Sequence, residues 1–182
     1  MATIVPHTSD VKNKTISPKL TIPMREIDLS IKIGLTTIEE LETADRELVE
    51  KAIAATDNSY APYSKFNVGA ALRLENGTIV IGANQENAAY PSGLCAERTA
   101  VFAAQANCPD QHITTLAIAA RNANGLMAQP VTPCGACRQV ILEIEERYHR
   151  PVKILLFGTE GVYVVSSVKD LLPLCFIDSS MK

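Results

Sequence analysis

Three cysteines in two short segments constrain this chain more than any other feature. Cys95 begins one stretch with a helical pattern, and Cys134 and Cys137 lie at the start of another. Two residues that are three apart in the first turn of a helix can point toward the same side. If all three thiols act together, the fold has to bring the beginnings of two helices to one point.

A metal site is the chemistry that this arrangement favours. Zinc prefers cysteine sulfur and histidine nitrogen, and a catalytic zinc keeps three protein ligands and leaves a fourth position for water. The chain has five cysteines, an odd number, which in a reducing compartment favours a metal or catalysis over disulfides. The other candidate ligands lie outside both motifs or lack a paired spacing: His7, His112, His149, Cys108 and Cys175.

Glu97 and Arg98 add groups that a catalytic metal centre needs. Glu97 follows Cys95 by two residues, so its carboxyl group can face a metal-bound water without being a ligand and can move protons. Three thiolates around one divalent ion leave a net charge of about −1, which makes the ion a weaker Lewis acid. We expect Arg98 and the two helix dipoles to draw charge off the sulfurs.

The composition excludes several classes of protein. The 182 residues are 47% hydrophobic and 20% charged, which is typical of one globular domain. A net charge of −3 without a cluster of Lys and Arg argues against a nucleic-acid binder. No apolar run reaches the roughly 18 residues of a membrane helix, and residues 1–14 lack the apolar core of a signal peptide. We therefore expect a soluble cytoplasmic protein.

The hydrophobic pattern alternates between strands and helices, which indicates an α/β sheet with helices on both faces. We expect residues 1–34 to be a partly loose N-terminal extension with an edge strand at 26–33, and residues 35–182 to be one domain. Thr37 and Glu40 predict a capping box that begins a helix ending near Asn58. Further predicted elements are a hairpin over 66–83, helices over 95–106, 134–148 and 168–172, and strands over 114–120, 152–157 and 163–166.

Residues 95–100 and 133–140 match in full the two zinc motifs of the cytidine deaminase family, and the chain resembles its small homotetrameric three-cysteine type. The resemblance runs from about Leu48 to Phe176. It implies a three-layer α/β/α fold and one zinc ion per subunit. It also implies hydrolysis of cytidine and deoxycytidine to uridine and deoxyuridine in pyrimidine salvage, in which zinc-bound hydroxide attacks C4 and Glu97 shuttles protons.

The same resemblance implies roles for residues that contact a nucleoside substrate. Asn84 and Glu86 match a pair that binds the ribose hydroxyls, and an amide with a carboxylate suits that task, although a capped loop would also explain part of this segment. Phe66 matches an aromatic residue near the pyrimidine ring. The remaining implied contacts are the backbone N–H of Ala96 to the base, Ala88 and Tyr90 to the 5′ end across an interface, and Phe176 to a neighbouring subunit's site.

Two alternatives stay open at this point. One is a deaminase for another aminated pyrimidine such as blasticidin S, whose sugar loop we would not expect to contain the Asn-x-Glu-Asn pattern of residues 84–87. The other is a non-catalytic zinc protein or a redox pair, which is the commoner meaning of an isolated C-x-x-C. A thioredoxin-like pair would leave Cys95 and Glu97 unexplained, and a structural zinc site would need a fourth protein ligand.

Overall fold

The computed structural model describes residues 24–182, so the predicted looseness of the first 23 residues lies outside the described part. Ten strands and α-helices follow one another along that part of the chain. In order they are β1 (Gly34–Thr36), α1 (Thr43–Ala55), β2 (Asn67–Leu74), β3 (Ile79–Ala83), α2 (Ala96–Asn107), β4 (Ile113–Asn122), β5 (Gly125–Leu126), α3 (Gly135–Tyr148), β6 (Lys153–Gly158) and β7 (Gly161–Val165). Short 3-10 turns lie at Thr56–Asn58, Tyr90–Ser92, Val168–Asp170 and Asp178–Met181.

The strands form one mixed sheet in the order β1-β7-β6-β4-β2-β3, and β5 pairs with β4. Strands β4 and β6 run parallel, and the chain passes between them through α3, because parallel neighbours need a long crossover connection. The other neighbouring strands pair antiparallel. The predicted hairpin is confirmed as β2 and β3, joined by the turn at Asn76 and Gly77.

Both faces of the sheet are covered by helices, as the pattern predicted. Successive strand residues point to opposite faces, so Leu72 and Leu116 pack in the cluster with α2 and α3, whereas Ala71 and Ala117 pack in the cluster with α1. Central strands buried on both sides read as nearly continuous apolar sequence, and β4 is buried over most of its length. The three-layer α/β/α fold is confirmed.

Two strand glycines let helices lie close to the sheet. A Cβ atom built on Gly69 would come within 2.1 Å of the Ala52 carbonyl oxygen in α1. One built on Gly82 would come within 2.4 Å of the Ala96 carbonyl oxygen, at the first turn of α2. Any side chain at Gly82 would therefore push the beginning of α2, and Cys95 with it, away from the sheet.

Two predicted boundaries near the N-terminus are wrong. Residues 26–33 have no regular secondary structure, and the edge strand is Gly34–Thr36 instead, because its partner β7 ends at Val165. Helix α1 begins at Thr43 rather than beside Thr37. The Glu40 carboxylate does accept a hydrogen bond from the Thr37 N–H, at 3.4 Å, but it closes a separate turn. Among residues 24–182, no helix has the length and apolar character needed to cross a bilayer.

Candidate active site

Three cysteine sulfurs converge where α2 and α3 begin. Cys95 and Cys134 directly precede the two helices, and Cys137 lies in the first turn of α3. The Cys95 and Cys134 sulfurs are 3.8 Å apart, and those of Cys134 and Cys137 are 3.5 Å apart. A tetrahedral ion with zinc–sulfur bonds of about 2.3 Å places its sulfurs about 3.8 Å apart. Both separations are close to the spacing that a tetrahedral zinc ion requires.

The cluster offers three protein ligands. All three sulfurs lie within 4.8 Å of one another, and no fourth His, Cys, Asp or Glu joins them among residues 24–182. A structural zinc site is closed by four protein ligands, whereas a catalytic site keeps one position open. The observed donor set is the catalytic type.

The surroundings of the sulfurs favour negative charge. Both helix N-termini direct unpaired N–H groups and a positive dipole end toward them, and Arg98 Nη2 donates to Cys95 Sγ at 3.5 Å. Hydrogen bonds from the Cys137 thiol and from Arg98 lower the pKa of Cys95 to about 5. The same sulfur–sulfur contact, together with burial, raises the pKa of Cys137. The lowered pKa favours the thiolate form of Cys95, and a bound metal would displace the proton of any ligand that is still a thiol.

Glu97 is buried beside these sulfurs. It is the second residue of α2 and only 5% exposed. Burial raises the pKa of its carboxyl group, and the Cys95 thiolate acts in the same direction, whereas its own backbone N–H and the Cys137 thiol oppose the shift. A raised pKa brings a carboxyl group toward the range in which it can both accept and release a proton near neutral pH.

A cavity of about 590 Å³ opens next to Cys95. It brings together five of the predicted site residues: Asn84, Glu86, Tyr90, Cys95 and Arg98. Its other lining residues are Tyr63, Ser64, Gln85, Asn87, Gly93 and Leu94. In the single described chain, the following predicted residues lie outside this lining: Phe66, Ala88, Ala96, Glu97, Cys134, Cys137 and Phe176.

The side chain of Asn84 is largely occupied by the protein itself. Its Oδ1 accepts hydrogen bonds from the Val68 N–H at 2.8 Å and from the Ser59 hydroxyl. Its Nδ2 donates to the Phe66 carbonyl at 2.9 Å. Since an amide group has two N–H donors, one of them is left for a ligand.

Glu86 also holds a loop in place. Its Oε2 accepts hydrogen bonds from the backbone N–H groups of Tyr63, at 2.8 Å, and Ser64, at 3.2 Å. The Ser64 hydroxyl and these N–H groups lower the pKa of Glu86, so it is a carboxylate at neutral pH. The capped-loop interpretation of this segment is thus correct in part, and it does not exclude a ligand on the same side chain.

The three predicted aromatic residues differ in exposure and in their neighbours. Phe66 is half-buried directly before β2. Tyr90 is 76% exposed, and its ring meets the Tyr63 ring edge-on with centroids 6.0 Å apart. Phe176 is 58% exposed, and its carbonyl accepts a hydrogen bond from the Gln139 side chain on α3 at 2.9 Å. The tail that carries Phe176 is therefore tied to the helix that carries two of the cysteines.

The two alanines differ in burial. Ala96 is fully buried as the first residue of α2, where helix geometry leaves the backbone N–H unpaired. Ala88 is exposed in the loop before the turn Tyr90–Ser92.

Two further residues, to which the sequence pattern assigned no role, shape this site. Tyr63 lines the cavity, and the only signal for it was its place in the turn before β2. Arg138 donates from Nε to the Pro133 carbonyl at 2.8 Å and from Nη1 to the Leu171 carbonyl. It thereby fixes the segment before Cys134 and joins it to the tail. Its signal was an arginine directly after the second cysteine of the C-x-x-C pair.

Comparison with known proteins points to one family. The family model for the cytidine and deoxycytidylate deaminase zinc-binding region matches residues 42–149. A cytidine deaminase from Halalkalibacterium halodurans is 39% identical over 138 residues, which cover 75% of this chain and 98% of that protein. One from Sporosarcina psychrophila is 43% identical over 132 residues, which cover 70% and 90%.

Solved structures show the same likeness. The crystal structure of cytidine deaminase from Burkholderia pseudomallei superposes with a TM-score of 0.62 at 40% identity, covering 71% of this chain and 97% of that one. The enzyme from Mycobacterium tuberculosis superposes with a TM-score of 0.58 at 31% identity, covering 75% and 99%. Each of the two superpositions includes nearly the whole of the solved chain.

Proposed function

The chain belongs to the zinc-dependent cytidine deaminase family, and on that premise we propose that it hydrolyses cytidine and deoxycytidine to uridine and deoxyuridine. Water supplies the oxygen that replaces the 4-amino group, and the amine leaves as ammonia. One observation carries this proposal above the others. Three cysteine sulfurs have tetrahedral zinc spacing, and a buried glutamate that is not a ligand lies two residues beyond one of them.

We assign the metal ligands to Cys95, Cys134 and Cys137, with one zinc ion per subunit. When bound, the ion supplies an activated water at neutral pH. The chain's own contribution is to limit the negative charge of the three sulfurs. Arg98 donates to Cys95, and the first-turn N–H groups of α2 and α3 face the cluster.

Glu97 is the proton carrier in this proposal. Its carboxyl group would accept one proton from the attacking water and pass it to the ring nitrogen. It would then take the remaining proton from the hydroxyl added at C4 and deliver it to the departing amine, which leaves as ammonia. Burial supports the role, because a carboxyl group whose pKa is raised can alternate between its two protonation states during one turnover.

The loop around Asn84 and Glu86 would bind the sugar. The remaining Nδ2–H of Asn84 can donate to one ribose hydroxyl, and the Glu86 carboxylate can accept from the other. Phe66 would lie beside the pyrimidine ring, and the unpaired backbone N–H of Ala96 would donate to the base carbonyl.

The assembly and the cellular role are part of the proposal. We expect a homotetramer in which Ala88, Tyr90 and Phe176 complete a neighbour's site, and the exposure of Tyr90 and Phe176 in the single chain supports this. Residues 35–182 would form the catalytic domain, with 1–34 as an extension. The reaction suits pyrimidine salvage in the cytoplasm.

Glu97→Gln is the decisive variant. We expect it to keep one zinc per chain by metal analysis and to lose at least about 100-fold in turnover, which is the lower range for a general acid–base group. Loss of ultraviolet absorbance on mixing with cytidine measures the reaction. Glu40→Gln, on an exposed turn, is the matched control and should keep full activity. Wild-type turnover in Glu97→Gln would refute the assignment.

A competition experiment tests the substrate. Cytidine and blasticidin S are supplied at equal concentration, and we expect cytidine to be consumed first because residues 84–87 offer sugar-binding groups. Preference for blasticidin S would replace the proposed substrate but keep the zinc chemistry. No absorbance change with either, in a zinc-loaded sample, would indicate a structural zinc protein.

A further inference from the structure

The segment formed by residues 24–33, called here the N-terminal segment, carries an apolar row that the described fold does not cover. Ile27, Leu29, Ile31 and Ile33 alternate with Asp28, Ser30 and Lys32. The four apolar side chains are between 45% and 81% exposed. In an extended chain all four would lie on one face, which is an unusual amount of exposed apolar surface for one short segment.

The segment leads directly into an edge of the sheet. Strand β1 pairs with β7 so that Gly34 faces Val164. Continuing this register places Ile33 opposite Val165, where β7 ends. Upstream of Ile33 the segment therefore runs beyond its neighbouring strand. Within residues 24–182, a ladder partner for it is not available from the sheet.

We propose that the N-terminal segment pairs antiparallel with the same segment of a second copy of this chain, with Ser30 opposite Ser30 at the two-fold axis. Identical strands related by a two-fold axis form such an isologous contact, in which each copy uses the same surface. The segment lies outside the family match, which begins at residue 42, so the proposal does not depend on the proposed activity.

Charge complementarity selects both the partner and the register. With Ser30 at the centre, Asp28 of each copy faces Lys32 of the other, and opposite charges in directly opposed positions stabilise a strand pair. The same register sets Ile27 against Ile33 and Leu29 against Ile31, so every member of the apolar row meets another.

The neighbouring registers lose part of this match. Centring the pair on Leu29 keeps an opposite-charge pair, Glu26 with Lys32, but places Ile33 against Arg25. Centring it on Ile31 keeps the apolar pairs but places Asp28 against Gly34 and loses the charge pair. One-residue slips would turn the apolar row to the opposite face. The Ser30-centred register is the one that satisfies the apolar and the charged residues together.

The pairing would also cover the edge of the sheet. In this register Glu26 of one copy faces Gly34 of the other, and Arg25 faces Leu35, so the partner's chain continues along β1. Strand β1 is the terminal strand of the described sheet, and Leu35 is 68% exposed. An exposed sheet edge is a template for pairing with a strand of another chain.

A disulfide at the two-fold axis tests the proposal. In the full-length, zinc-loaded chain with Cys108→Ser and Cys175→Ser, Ser30→Cys places two thiols opposite each other. Opposed Cα atoms in an antiparallel pair lie about 4.5–5.5 Å apart, within the range of a disulfide. Mild oxidation should convert most of the chain to a linked dimer on a non-reducing gel.

Position-matched variants separate pairing from random collision. Asp28→Cys alone and Lys32→Cys alone should stay monomeric on the same gel, whereas a mixture of the two should form a dimer. In the Ser30→Cys chain, Asp28→Lys should suppress linkage, and adding Lys32→Asp should restore it.

Two results would overturn the proposal. Absence of linkage in Ser30→Cys would mean that another part of the chain or another partner covers the row. Equal linkage in Asp28→Cys alone would mean that the segment collides without a fixed register.

Discussion

The two ends of the helix pair α2 and α3 make different use of buried polar groups. At the N-terminal end, the three cysteine sulfurs lie within 4.8 Å of one another, and Glu97 is buried beside them without being one of the ligands. At the C-terminal end, Glu145 is 4% exposed and its carboxylate is fully engaged by the protein. It accepts hydrogen bonds from the N–H groups of Val152 and Val168, both at 2.9 Å, and from the Ser167 hydroxyl at 2.6 Å.

This difference in hydrogen bonding indicates that one end of the helix pair serves ligand binding and the other serves stability. Polar groups that serve a ligand keep unused bonding capacity, which costs stability until the ligand binds. Polar groups that serve the fold are satisfied internally. Variants at the two ends should therefore change different measurements, and the expected effects can be ranked.

Cys137→Ser should have the largest effect. Removing the buried ligand at the N-terminal end leaves two thiols, too few to hold a catalytic zinc. We expect loss of bound zinc by metal analysis and loss of deaminase activity to the background rate. Cys108→Ser, which changes a cysteine outside the cluster directly after α2, should keep both. Full zinc content in Cys137→Ser would show that the three-sulfur site is not the metal centre.

Glu145→Ala should be the largest change at the opposite end. It leaves two buried N–H groups without an acceptor, and each such group costs about 1–3 kcal/mol, so the free energy of unfolding should fall by roughly 3 kcal/mol. Activity per folded molecule should not change. Urea unfolding measures the first and cytidine turnover the second. Glu146→Ala, whose ion pair with Lys169 is partly exposed, should cost at most about 1 kcal/mol.

Arg98→Gln should have an intermediate effect at the N-terminal end. The donor to Cys95 is lost while all three ligands remain, and changes next to metal ligands typically cost about 10–100-fold in metal affinity or activity. Competition with a chelator measures the affinity. Arg147→Gln, which removes a surface contact to Gln105 at the other end, is the control and should leave zinc affinity unchanged. A similar loss of zinc affinity in Arg147→Gln would contradict the proposed difference between the two ends.

His112, near the C-terminal end, should give the smallest effect, visible as a dependence of stability on pH. It is buried, and its ring contacts the Tyr148 ring at a tilt of 53°, with ring centroids 5.6 Å apart. Burial lowers its pKa below the ordinary 6.5, and Arg150 acts the same way, while the Pro151 carbonyl and the carboxylates of Glu75 and Glu145 oppose the shift.

The sign of that dependence follows from the lowered pKa. The neutral ring is favoured in the folded chain, so its contribution to stability is complete above about pH 6.5 and is lost as pH falls through the lower folded pKa. Urea unfolding at intervals of about half a pH unit between about pH 7.5 and 5 should show the free energy of unfolding decreasing as the pH falls. His112→Gln should weaken it, whereas the exposed His149→Asn should retain it. An identical slope in His112→Gln would assign the loss to other groups.

Short-range sequence patterns predicted the elements and the metal ligands because those features are local. The C-x-x-C spacing, the turn between β2 and β3 and the apolar strands each depend on neighbouring residues. The misplaced start of α1 has a local cause, since Glu40 closes a turn with Thr36 and Thr37 ahead of the helix. The error at 26–33 has a non-local cause. The extent of β1 is set by the end of β7, more than 120 residues away along the chain, and no pattern near Ile33 contains that information.

The loop formed by residues 84–87 shows the same limit. A ligand-binding Asn84 and a capped loop were alternatives in the sequence, but the structure shows most of the Asn84 amide committed to Ser59, Val68 and Phe66. These three partners lie 16 to 25 residues before Asn84 along the chain. The local pattern around Asn84 therefore could not predict them. The role of Arg138 in tying the cysteine segment to the tail was hidden for the same reason.

By itself the sequence determined which atoms could hold a metal and which carboxyl group could move a proton, because residue type and helix spacing fix those capacities. The tertiary structure decided the rest. Only the packing of α2 and α3 on the sheet brings Cys95 within 3.8 Å of Cys134, and only burial at that point raises the pKa of Glu97. Distances between segments and desolvation are properties of the packed chain, so no local pattern could contain them.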